Sequence, residues 1–129
     1  MADYLLDTTV FVDYLRDMEG AAVYFEPIFN GEVSGAFSVI TEAELWEGLR
    51  SGEEEQHEAI LLLLQRVDVG RDIARRAGEL RRTFRTESLG MPDALIAATA
   101  EAVDATLVTR NRSHFEPLQP IITCEFYTV

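Results

Sequence analysis

The sequence predicts an α/β domain, a mainly parallel central sheet flanked by helices in three layers. Three observations carry this reading. Short apolar segments of strand length alternate with longer segments of helical period. No repeat, low-complexity tract or linker interrupts them. A chain of 129 residues is long enough for one compact core and too short for two, so residues 1–129 are read as one domain.

Taken in order, Tyr4-Leu5-Leu6 reads as a short buried strand that stops at Asp7-Thr8-Thr9. Helical spacing follows in Val10-Phe11 and Tyr14-Leu15, and a second short helix covers Ala21 to Phe29. Val33 to Val39 has strand character, and Ile40 leads into a helix from Thr41 to Arg50. Glu53 to Val67 reads as another helix, its leucine-rich centre turned inward. Asp72 to Arg85 is amphipathic, with Ile73, Ala77, Leu80 and Phe84 on one stripe. Gly90 and Pro92 break the chain ahead of a helix from Asp93 to Ala102. A strand from Thr106 to Thr109, a turn or short helix from Ser113 to Glu116, and a strand from Ile121 to Phe126 complete the pattern. In parallel sheets of this kind, ligands bind beyond the carboxyl ends of the strands.

Composition removes several functions. The longest apolar run, Ala59 to Leu64, falls far short of the ~20 residues that span a bilayer, so no membrane segment is expected. The amino end carries Asp3 and Asp7 with no basic cluster, which argues against a secretory signal. A lone cysteine, Cys124, cannot form an internal disulfide and suits a reducing cytoplasm; it is expected as a buried structural thiol. All 11 basic residues are arginines. Without lysine, phosphate loops of the GxxxxGK type and lysine-assisted phosphoaspartyl sites are excluded. A net charge of -12 opposes a general nucleic-acid coating surface, so any such contact must be local, through clustered arginines or a bound cation.

Four polar residues fall where such a sheet gathers its chemistry. Asp7 lies at the end of the first strand, Glu44 in TEAELWEGL, Asp93 at the start of its helix, and Asn111 in LVTRN. Each has an ordinary structural role. Asp7 and Asp93 can cap helices, Thr41-x-x-Glu44 fits a capping box, and Asn111 suits a turn. Glu44 stacks over Gly48 at i+4, which leaves room beside it. Together, however, they place three carboxylates and an amide on one edge. Carboxylates so gathered repel unless protonated or bridged by a cation. Oxygen donors favour Mg²⁺ or Mn²⁺, and such an ion would let a phosphodiester approach and be hydrolysed.

Four segments in this order, LLDTTVFVDYLR, SVITEAELWEGL, PDALIAATA and ATLVTRNRSHF, resemble the PIN-domain family. More narrowly, they resemble the VapC-type ribonuclease toxins of toxin–antitoxin pairs. The resemblance covers nearly the whole chain. It implies a Mg²⁺- or Mn²⁺-dependent endoribonuclease, with the family's acidic positions on Asp7, Glu44 and Asp93 as catalytic residues and metal ligands. Thr8 and Thr109 match supporting hydroxyl positions. The fourth acidic position falls on Asn111, which hydrogen-bonds but brings no charge. Asp104 reads as a turn residue, and Glu42, Glu47 and Asp13 as solvated helix positions.

The remaining candidates divide between surface and function. His57, among Glu53, Glu54, Glu55 and Glu58, reads as exposed, and His114 is read first as a packing or surface residue. Arg75, Arg76, Arg81, Arg82 and Arg85 are either a solvated helix face or a phosphate-binding rim, with Arg110 and Arg112 nearer the acidic edge. A small antitoxin and a second copy of the chain are the expected protein partners. The resemblance points to both, and apolar Val10, Phe11, Tyr14, Ala59, Ile60 and Leu61 exceed what one core face needs. The competing function is a PIN-like module, catalytically weak or inactive, that binds protein or RNA. A receiver-type phosphoacceptor fails on the missing lysine and on the lack of an acidic pair after the first strand.

Overall fold

The computed structural model describes residues 2–85 and 88–128. Five short strands form one wholly parallel sheet in the order β3-β2-β1-β4-β5. They are β1 (Tyr4–Leu6), β2 (Gly35–Ser38), β3 (Gln65–Val67), β4 (Thr106–Thr109) and β5 (Cys124–Phe126). The helices are α1 (Thr8–Leu15), α2 (Glu19–Phe29), α3 (Val39–Glu47), α4 (Glu54–Leu61), α5 (Arg71–Thr83), α6 (Met91–Ala102) and α7 (Arg112–Phe115). A 3₁₀ turn, Glu116–Leu118, follows the last of them.

The period of two along the strands divides the interior. Leu5, Ala36 and Leu107, paired across β1, β2 and β4, join a core with Ala77, Leu80, Ala94, Ala97 and Phe115. Their neighbours Leu6, Phe37 and Val108 face the other way, into a core with Val10, Phe11, Phe25, Leu45 and Ile60. Thus α5 and α6 cover one face while α1, α2 and α4 supply most of the other. Small residues let α6 lie close on its side: Ala94, Ala97, Ala98 and Ala100 are all buried. Aromatic rings fill the opposite side, where Phe11 meets Phe25 edge-on with centroids 5.3 Å apart.

Chain order sets the position of the site. From β1 the chain moves outward through β2 to β3, then crosses back to β4 on the far side of β1 and ends at β5. Adjacent strands β1 and β4 therefore send their following segments in opposite directions, and a crevice opens at their carboxyl ends. Asp7 sits there, its backbone N–H donating to the Val108 carbonyl at 2.9 Å.

Four expectations are corrected here. The segment read as one helix from Glu53 to Val67 is α4 followed by an edge strand. Pairing to β2, with Ala36 opposite Gln65 and Ser38 opposite Val67, draws these residues out of a helix. Ile60 and Leu61 do turn inward, but Leu62 is 85% exposed and Leu63 60%. His57 is buried, 3% exposed, because the α4 face that carries Ile60 and Leu61 carries it too. Asp13 is buried in α1 rather than solvated, for a reason that lies in its partners. The expected surplus of apolar surface is also smaller than its count suggested. Val10, Phe11, Ile60 and Leu61 are all consumed by the core, while Ala59 is exposed.

Candidate functional site

Asp7 occupies the N-cap position of α1 in an extended conformation, yet its carboxylate makes no capping hydrogen bond. It turns instead to two hydroxyls. Thr109 on β4 donates to Oδ2 at 2.7 Å, and Thr9 donates to the same oxygen at 3.1 Å. Backbone amides from the segment after β4 donate in turn to those hydroxyls: Asn111 to Thr109 at 3.0 Å and Arg110 to Thr9 at 3.5 Å. The carboxylate is 2% exposed, and burial raises its affinity for a proton, with the Thr109 hydrogen bond pulling the other way.

Glu44 comes from α3. Ser38 caps that helix, its hydroxyl accepting from the Ile40 amide at 3.1 Å, so Thr41 is not a capping residue. Thr41 is instead buried inside the first turns, with its hydroxyl 3.1 Å from that of Thr8. Thr8 donates to Glu44 Oε1 at 2.6 Å. A hydroxyl has one proton, so the Thr8 proton goes to the carboxylate and Thr41 can donate to the Thr8 oxygen. Burial first, and then the Asp7 charge, raise the Glu44 pKa against this hydrogen bond.

Asp93 is the third residue of α6, behind Gly90 at the N-cap and Pro92, and it makes no capping bond. It lies 2.8 Å, through Oδ2, from Nδ1 of His114 on α7. Its pKa is pushed up to about 6, chiefly by burial and then by the Asp7 charge; Glu44 adds to the rise, and His114 opposes it. Each of the three carboxylates thus has raised proton affinity, and Asp7 contributes to the rise at both Glu44 and Asp93.

Among the described residues, no group of three histidine, cysteine, aspartate or glutamate side chains is already drawn together as a ligand cluster. Each carboxylate is turned onto a hydroxyl or an imidazole. The donor chemistry nonetheless suits a hard divalent cation: oxygen atoms, anionic and mutually repelling, at the mouth of a parallel sheet. The electrostatic cost that protonation relieves here is one that such a cation would also relieve. A groove of about 420 Å³, bounded by Phe37, Trp46, Leu61, Leu62 and Leu64, has none of these carboxylates in its lining.

The basic candidates separate. Arg110 donates through Nε to buried Asp13 at 2.8 Å, and Tyr127 donates its hydroxyl to the same Asp13 oxygen at 2.7 Å. Arg76 pairs with Glu101 through two nitrogens at 2.6 and 3.0 Å, and Arg81 holds the Leu89 carbonyl at 3.1 Å. Arg82 and Arg85 are exposed at the carboxyl end of α5, the helix that precedes α6. Arg112 lies over the Phe126 ring, 4.5 Å from its centroid, and remains exposed. Cys124 is only half-buried, with its thiol pushed up to about 11 by burial. Asp104 turns the chain between α6 and β4 with φ at 53°.

Sequence reasoning missed Asp13 and Tyr127 and placed His114 in a packing or surface role. Nothing in the spacing of Asp13 distinguishes it from a solvated acid, because its partners lie 97 and 114 residues away.

The sequence profile of the PIN domain matches residues 4–117. The chain is 41% identical over 118 residues to "Ribonuclease VapC19" of Mycobacterium tuberculosis, covering 90% of this chain and 94% of that protein. Two solved structures are similar throughout. One is a toxin–antitoxin complex from Klebsiella pneumoniae, with a TM-score of 0.76 at 29% identity over 93% of this chain and 96% of that one. The other is VapBC2 from Rickettsia felis bound to a DNA fragment from their promoter, at 0.75 and 30% over 97% and 98%. By this match and this identity, the chain belongs to the PIN-domain family, among its VapC-type members.

Proposed function

We propose that the protein is a Mg²⁺- or Mn²⁺-dependent endoribonuclease that hydrolyses RNA phosphodiester bonds, as the toxin of a toxin–antitoxin pair. What supports this reading is that Asp7, at the carboxyl end of β1, raises the proton affinity of both Glu44 and Asp93 by its charge, while Thr8 beside it donates to Glu44 at 2.6 Å. Similarity to "Ribonuclease VapC19" supports RNA as substrate, and similarity to toxin–antitoxin complexes supports a small antitoxin as partner.

A divalent ion held at this edge would supply charge neutralisation at the scissile phosphate and an activated water. Asp7, Glu44 and Asp93 would hold it through carboxylate oxygens. Thr109 and Thr9 fix the orientation of Asp7, and Thr8, backed by Thr41, fixes that of Glu44. Asn111 orients a water or a substrate oxygen through its amide without adding charge. Arg112, Arg82 and Arg85 meet phosphates along the strand, and Arg110 has a separate task. This local basic contribution is needed because the chain as a whole carries -12. The antitoxin covers the acidic edge, a second copy completes a homodimer, and the protein works in the cytoplasm.

The competing reading, a PIN-like binding module, draws on Asn111, which brings no charge, and on the turning of each carboxylate onto a neighbour. Cleavage of an oligoribonucleotide with Mn²⁺ separates the two. Wild type is expected to cleave, and Asp93→Asn to lose about 10²-fold or more, the scale of losing one charge-stabilising group in a site of this type. Cleavage retained by Asp93→Asn would remove Asp93 from the chemistry; none by wild type would favour the module.

A further inference from the structure

Among the described residues, Asp13 is the most deeply buried acid outside the acidic edge, with a side chain 5% exposed. Two partners from distant parts of the chain converge on its Oδ2. Arg110, from the segment after β4, donates Nε at 2.8 Å, and Tyr127, from the segment after β5, donates its hydroxyl at 2.7 Å. Tyr127 is itself buried and packs its ring against Tyr24 of α2 at 5.8 Å. Loss of Arg110 would leave the buried carboxylate without its countercharge, and loss of Tyr127 would remove one of its two hydrogen bonds, so the three side chains are held as a unit.

This cluster adjoins the acidic edge through the backbone it restrains. Arg110 lies between Thr109, whose hydroxyl holds Asp7 at 2.7 Å, and Asn111, whose amide holds that same hydroxyl at 3.0 Å. On α1, Asp13 stands one turn beyond Thr9, whose hydroxyl holds the same Asp7 oxygen at 3.1 Å and accepts from the Arg110 amide at 3.5 Å. The segment Thr109–Asn111 is thus fixed twice: by hydroxyls against Asp7, and by a guanidinium against Asp13.

We propose that Asp13, Arg110 and Tyr127 form a latch that positions Asp7, Thr109 and Asn111 at the acidic edge. The latch rests on the metal-dependent ribonuclease reading. Its three members are positioning residues: they set the direction of the Asp7 carboxylate and of the Asn111 segment without touching substrate. Arg110, which its place in the sequence marks as a phosphate contact, is assigned here to holding the protein against itself. Its Nε is committed to Asp13, which fixes the plane of the guanidinium.

Three variants of the full chain test this: Tyr127→Phe, which removes one hydroxyl, Arg110→Gln, which removes the ionic arm, and the double variant. Mn²⁺ affinity is measured by calorimetry with the metal alone, thermal stability is measured in chelator, and kcat and KM are measured on an oligoribonucleotide. Each single variant is expected to weaken Mn²⁺ binding about 3- to 10-fold and to lower kcat to a similar degree, with KM within about twofold. The double variant should be no worse than the worse single, because a latch opened at one arm is open. A fall in melting temperature with unchanged Mn²⁺ affinity and kcat would make the cluster purely structural and overturn the proposal. So would effects that multiply in the double variant. A rise in KM for Arg110→Gln at constant kcat would make Arg110 a direct RNA contact and overturn it as well. Latch-dependent Mn²⁺ binding in a protein that cleaves no RNA would defeat the ribonuclease reading alone. Wild type that binds no Mn²⁺ would defeat both.

Discussion

Asp93 is an acid whose environment prefers it neutral, and that preference fixes a pH dependence. Its pKa stands at about 6 in the folded protein, against an ordinary aspartate value of 3.8. Being raised, it contributes stability that is complete below the ordinary value and is lost as pH rises through the folded one. Metal-free protein is therefore expected to melt at a lower temperature at pH 7 than at pH 5 by Asp93's share. Asp93→Asn should flatten that slope, since an amide has no proton to lose; an unchanged slope would locate it elsewhere. His57 acts in the opposite sense. Burial lowers its pKa, with the Glu53 charge opposing, so its contribution is present above its ordinary value of 6.5 and is lost as pH falls below it. At this scale the sequence was partly legible. Asp7 and Asp93 stand where the pattern put them, at the end of β1 and in the first turn of α6, because backbone pattern alone locates such a side chain; Glu44 lies well inside α3. Asp13, His57 and His114 were not legible in this way. What decides their role is a partner on another element, and local spacing carries no record of that partner.

Elements were legible where their boundaries were marked. Gly90 and Pro92 announced α6, and Thr106–Thr109 was delimited within the residues that form β4. Failure came where composition was uniform. Leu61-Leu62-Leu63-Leu64 contains no glycine or proline, so helical period ran straight through the point at which α4 gives way to β3. An edge strand of three residues, two of them exposed, offers no alternation long enough to reveal it. The T-x-x-E spacing around Glu44 likewise suggested a helix start that lies three residues earlier, at Ser38. The alanine face of α6 yields a prediction at this scale. Ala97 is fully buried, in the core that holds Leu5, Ala36 and Leu107 of the sheet and Ala77 and Leu80 of α5. Ala97→Leu inserts three carbons where there is no room and should cost about 1–3 kcal/mol in urea unfolding. A loss under ~0.5 kcal/mol would show that α6 packs more loosely than its buried alanines indicate.

For the whole molecule, two measurements bear on assembly. Millimolar Mn²⁺ should raise the melting temperature by linkage if the folded chain binds the ion through Asp7, Glu44 and Asp93 as proposed. Asp93→Ala should remove most of that rise, and a rise it leaves intact would put the ion elsewhere. The proposed homodimer should sediment at micromolar concentration as a species of twice 14.5 kDa. A single species of 14.5 kDa would end that proposal. The strand order has one more consequence, which concerns time. A ribosome delivers Asp7 early, yet β1 lies between β2 and β4, and β4 emerges only after β2, β3 and six helices. Asp7 waits for Thr109, and Asp13 waits for Arg110 and then for Tyr127. A nascent chain still lacking β4 has the central strand bare on one side and Asp7 without the Thr109 hydroxyl. The acidic edge therefore takes its folded form only after β4 and Tyr127 have been made, long after the segment that carries Asp7 and Asp13 has left the ribosome.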